Sequence, residues 1–83
     1  MSETTIDHDV IRNWAEKRGG QPSRVKGTGD ESDAGLLRFD FGEPEEALEP
    51  ISWDEFFQKF EQSSLALVYD DKPSSRFGKL VSR

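Results

Sequence analysis

Apolar and polar positions change period several times along this chain, and each change predicts an element. Val10, Ile11, Trp14 and Ala15 recur at helical spacing and form one apolar face. Asp7 stands where an N-cap belongs, with Ile6 placed to staple onto Ile11. Lys17 and Arg18 fall in the last turn, where the helix dipole favours cations, and Gly19-Gly20 ends the run. A second start is spelled by Pro50-Ile51-Ser52-Trp53-Asp54-Glu55-Phe56-Phe57. Ser52 and Glu55 make a capping box, Ile51 and Phe56 the staple, and Phe56, Phe57 and Phe60 the core face. Trp53 reads as lying off that stripe, which leaves it open to a role other than packing.

Between and after the helices the period shortens. Ser23 to Gly27 is a short, weak strand, and Leu36 to Phe41 a stronger one with Leu37, Phe39 and Phe41 on one face. Thr28 to Gly35 reads as a hairpin loop, and Glu43 to Pro50 as an acidic, proline-bounded connection. Leu65 to Tyr69 is a nearly continuous apolar run, expected of a central strand. Asp70 to Ser75 is turn chemistry, and Arg76 to Val81 returns as the last strand. The expected fold is α+β, ordered α-β-β-α-β-β: a four-stranded antiparallel sheet with two helices packed on one face. The two halves rhyme, but their residue identity is too sparse to mark a duplication. Residues 1–5 are expected to fray, leaving residues 6–83 as a single domain.

At 83 residues the chain has room for one modest core, burying roughly 60–65% of its unfolded surface. Hydrophobic content is only 33%, against 34% charged, so two Trp, one Tyr and six Phe must supply much of the buried area. The absence of cysteine removes disulfides and thiolate chemistry, and a single histidine removes the usual zinc motifs. With neither an apolar leader nor a long apolar run, a cytoplasmic protein without membrane or cofactor is expected. The net charge of −6 is uneven: residues 1–27 carry +1, residues 28–63 carry −9, and residues 64–83 carry +2.

Candidate chemistry is sparse. His8 falls in a first helical turn and reads as a surface residue, because a general base needs an oriented partner and a pocket. Asp30-Glu31-Ser32-Asp33 lacks the spacing and closing Glu of a calcium loop, and the glycines at 19, 20, 27 and 29 leave a helix where a phosphate loop would enter one. No catalytic or metal-binding set is legible. Arg24, Lys26, Arg76, Lys79 and Arg83 lie on strand-like segments near Tyr69 and Phe77. If those strands are neighbours, their outward residues form a basic, aromatic face of the kind that binds single-stranded nucleic acid. Cations also guard edge strands against aggregation, and the acidic middle opposes nucleic acid.

Trp14 to Pro22, Ile51 to Phe57, Leu65 to Tyr69 and Ser75-Arg76-Phe77, together with Thr5 to Asp9, are similar to a family of small uncharacterised bacterial and archaeal proteins. Some of those hypothetical proteins bear the label 1,4-alpha-glucan branching enzyme. Such enzymes are large barrels with several catalytic loops, and none of their motifs stands in these 83 residues. The resemblance implies a self-standing domain and supplies no active-site residue. The expectation is a non-enzymatic domain that binds or regulates another protein, with nucleic acid as the alternative partner. The candidate binding face comprises Arg24, Lys26, Trp53, Arg76, Lys79 and Arg83.

Overall fold

The computed structural model describes residues 2–27, 35–42 and 47–83, and the expectations for residues 28–34 and 43–46 lie outside them. The chain runs β1 (Ser2–Thr5), α1 (His8–Lys17), β2 (Gln21–Val25), β3 (Leu37–Asp40), β4 (Leu48–Pro50), α2 (Trp53–Gln62), β5 (Leu65–Asp70) and β6 (Gly78–Ser82). The α+β class and both helices match the sequence reading.

The single four-stranded sheet is corrected to two three-stranded antiparallel sheets, ordered β1-β5-β6 and β3-β2-β4. The two predicted hairpins, β2–β3 and β5–β6, form but do not join. Each instead takes a third strand from the segment that precedes a helix. Ser2–Thr5, expected to fray, pairs with β5, placing Glu3 opposite Tyr69 and Thr5 opposite Leu67. Leu48–Pro50, expected as a connection, pairs with β2, placing Glu49 opposite Arg24. The architecture is thus β-α-β-β twice over, and the leading strand of each half pairs with the hairpin of the other. Both sheets therefore draw strands from both halves.

Local chemistry explains the boundaries. The Asp7 carboxylate accepts from the amides of Asp9 (2.9 Å) and Val10 (3.3 Å), and the Ser52 hydroxyl from the amide of Glu55 (3.0 Å). Helix α1 closes with Gly19 at φ 74°, the Gly20 amide reaching Ala15 O and the Gly19 amide reaching Glu16 O. Helix α2 ends on Ser64, a non-glycine residue at φ 51° whose amide donates to Glu61 O. Pro22 sits in the central strand of its sheet, where a missing N–H is normally excluded. Its carbonyl still accepts from the Ile51 amide, just past the end of β4, so the proline removes a donor only where that ladder stops.

Ile11, Trp14, Ala15, Leu37, Phe56, Phe60 and Leu67 form the core. Trp14 bridges the sheets: its ring meets Phe39 at 5.4 Å, and Phe41 and Tyr69 at 6.0 Å each. Its Nε1 donates to Asp70 O (2.9 Å), the last carbonyl of β5, which also accepts from Arg18. The Arg18 guanidinium donates to Trp14, Lys72 and Ser75 carbonyls as well, and so holds the β5–β6 turn against α1. Ile51 packs against the core as a staple should, whereas Ile6 is 53% exposed.

Candidate functional site

The six predicted residues do not form one face: Arg24 and Lys79 lie on strands of different sheets, Trp53 opens α2, and Lys26, Arg76 and Arg83 lie just outside the strands. Arg24 on β2 is ion-paired with Glu49 on β4 (3.5 Å), and its Nε is buried without a hydrogen-bond partner among the described residues. Lys26 is exposed in the turn after β2. Arg83, at the far end of β6, donates to Glu61 (2.7 Å) and Leu65 O (2.6 Å) and lies over the Phe60 ring. Trp53 is half-buried and packs on Phe39, Phe56 and Phe57 at 6.5, 5.4 and 5.4 Å. It is part of the core margin, so the reading that set it off the α2 stripe is corrected.

Only Arg76 and Lys79 come together, and they do so beside residues the sequence left out. The guanidinium of Arg76 stands 5.7 Å from the centre of the Phe41 ring. Lys79 lines a hollow of about 330 Å³ with Arg38, Phe39, Phe41, Gly78 and Leu80. A second hollow, of about 390 Å³, shares Arg38 and Leu80 and adds Leu36, Leu37, Lys59 and Leu65. Its leucine lining includes Leu36, which is 54% exposed. The described residues lining both hollows include three cations and no carboxylate.

This cleft runs between two strand edges. β3 and β6 each end their sheet, and among the described residues neither has a strand partner on its outer side. Backbone groups in antiparallel strands point alternately toward and away from a neighbour. The Arg83 amide bonds Ser64 O and the Asp70 amide bonds Phe77 O, so residues 77, 79, 81 and 83 face β5. The amides and carbonyls of Gly78, Leu80 and Ser82 then point to the open edge. The same count from Val25 N–Leu36 O turns Leu37 and Phe39 outward on β3. There the Leu37 carbonyl already accepts from Arg38 Nη1 (2.9 Å).

A second cluster surrounds His8. It is in a first turn as expected, yet it is half-buried rather than a free surface residue. Its ring stacks on Phe57 (4.1 Å, 4°) and its Nε2 lies 2.8 Å from the Glu61 carboxylate, which Arg83 also engages. The bonds to His8 and then Arg83 hold the Glu61 carboxyl below its ordinary value. These contacts tie α1, α2 and the chain end together. Residues 53 to 83 supply both partners, which is why neighbours of His8 in sequence gave no hint of them.

No helix among the described residues is long and apolar enough to cross a membrane. Comparison with protein-family models, curated proteins and solved structures finds no match for this chain.

Proposed function

We propose that this is a non-enzymatic cytoplasmic domain that binds another protein, taking an extended segment of its partner into the cleft between β3 and β6. The observation that supports this reading is the open β6 edge. Among the described residues its outward backbone donors and acceptors have no strand partner, and it lies beside an apolar hollow; these are the two elements of recognition by strand addition. Main-chain bonds would supply affinity and the hollow would select side chains. Ser82 is exposed, and its amide faces the open edge, so Ser82→Pro removes one edge donor without touching the β5 ladder. Immobilised protein should retain a partner from lysate at moderate salt, and the Ser82→Pro protein should lose it. Retention unaffected by Ser82→Pro would rule out the edge as the binding element.

One observation favours nucleic acid instead: Arg76 over Phe41, with Arg38 and Lys79 alongside, combines cations with an aromatic face. Against it stand the acidic balance of the chain and the pairing of Arg24 and Arg83 with carboxylates. Titration with single-stranded and duplex probes at low salt decides, since phosphate contacts make binding steeply salt-dependent.

A further inference from the structure

We propose a second binding site, for a small zwitterion with an apolar body such as a free apolar amino acid, in a hollow between α1 and the turn after β5. The helix repeat builds one wall. Val10, Trp14 and Lys17 stand at i, i+4 and i+7, so one face of α1 carries both apolar surface and a cation in its last turn. That face fronts the end of β5, where Tyr69 and then Asp71 and Pro73 make the other wall. The hollow measures about 360 Å³, within the range of small-molecule sites. It shares no described lining residue with the two hollows of the β3–β6 cleft, so this reading is independent of strand addition.

Opposite charges stand on the two walls. Lys17 on the helix and Asp71 on the turn are both exposed, and among the described residues neither has an ion-pair partner. Arg18 lines the hollow as well. Its guanidinium donates to four carbonyls, those of Trp14, Asp70, Lys72 and Ser75, and to no carboxylate among the described residues. A guanidinium has five N–H groups, so one hydrogen on Nη1 is left for another acceptor. The C-terminal end of α1 carries about half a negative charge, which two full cations exceed. A carboxylate is therefore favoured beside Lys17 and Arg18, and an ammonium beside Asp71. Between them Val10, which is 37% exposed, Tyr69 and Pro73 offer apolar surface to the body of the ligand, with the buried Trp14 behind. Other ligand classes leave a wall unmatched: a phosphate has no group for Asp71, and a hydrocarbon has none for either charge.

The test uses the full chain and three probes: phenylalanine; hydrocinnamate, which lacks the ammonium; and phenethylamine, which lacks the carboxylate. Binding is read from the amide chemical shifts of Val10, Lys17, Tyr69 and Asp71 and from the Trp14 indole N–H. Phenylalanine should shift these signals and bind at least about threefold more tightly than either fragment, the effect of one exposed charge pair. Lys17→Gln should weaken phenylalanine and hydrocinnamate about threefold and leave phenethylamine unchanged. Asp71→Asn should weaken phenylalanine and phenethylamine and leave hydrocinnamate unchanged or tighter. Both substitutions are at exposed positions, and an unchanged circular dichroism spectrum establishes that the variants are folded. Either fragment binding as tightly as phenylalanine overturns the zwitterion, as does a variant that weakens all three probes alike. Failure of every probe to shift these signals, or shifts confined to Gly78, Leu80 and Ser82, overturns the site itself.

Discussion

Gly78→Ala tests the packing that joins the two sheets. A Cβ at Gly78 would lie 3.0 and 3.1 Å from Cζ3 and Cζ2 of Trp14, and closer still to Cη2, where carbon atoms normally approach to about 3.5–4.0 Å. The indole has little freedom to retreat. Nε1 is bound to Asp70 O, Phe39, Phe41 and Tyr69 pack around the ring, and the Arg18 guanidinium stands 4.9 Å from the ring centre. Overpacking of this kind costs about 1–3 kcal/mol, and a pinned ring argues for the upper half of that range. Relief of the glycine's entropy in a strand returns about 0.5–1 kcal/mol. The expected net loss is about 1–2.5 kcal/mol, a sizeable part of the roughly 4–12 kcal/mol typical of a domain this size.

At about 4–8 °C per kcal/mol, Tm should fall by about 4–20 °C, read by circular dichroism, with chemical denaturation giving the free energy. A double-mutant cycle assigns the cause. In a Trp14→Leu background the added methyl has space, so the same Gly78→Ala change should become neutral or favourable, a coupling above about 1 kcal/mol. A Gly78→Ala cost within about 0.5 kcal/mol of zero, or one unchanged by Trp14→Leu, would refute the claim that this contact fixes β6 against α1.

Three further outcomes are expected. Ser64→Gly relieves a left-handed residue at the end of α2 and should stabilise the protein by about 1 kcal/mol in urea denaturation. Trp53→Ala removes a half-buried ring from Phe39, Phe56 and Phe57 and should cost about 1–3 kcal/mol, less than the 3–5 kcal/mol of a fully buried aromatic. The Glu61 carboxyl is held below its ordinary value of 4.5 by His8 and Arg83, so as pH falls the unfolded chain takes up the proton first. Its contribution is present above pH 4.5 and lost as pH falls through the folded value; Glu61→Gln should flatten that part of a stability–pH profile.

The helices were legible because their signals are local. Asp7 and Ser52 cap as their positions demand, and Gly19 stops α1. Trp53 was misjudged although the signal was present: 53, 56, 57 and 60 follow the i, i+3, i+4, i+7 pattern of one helix face. Strand β1 gave no signal, because Ser2-Glu3-Thr4-Thr5 has no apolar alternation. It is held by backbone bonds to an apolar neighbour, and its side chains remain largely exposed. β4 was hidden in the same way by its proline and glutamate.

The site was harder to read than the elements because it depends on which edges meet. Had the β2 and β6 segments been neighbours in one sheet, Arg24 and Lys26 would have stood beside Arg76 and Lys79. The pairing of β1 with β5 and of β4 with β2 uses one side of each central strand for the opposite half of the chain. Each hairpin's second strand, β3 or β6, is thereby left at an outer edge in an equivalent position. The cleft lies between these two equivalent edges, so exchange of leading strands between the halves both disperses the expected basic face and leaves β3 and β6 without a strand partner on their outer sides among the described residues. Arg38 joins the lining of the candidate cleft by the same step. On an isolated hairpin it is an outward cation; with β3 at an edge, it lines the cleft shared with Lys79 and covers the Leu37 carbonyl.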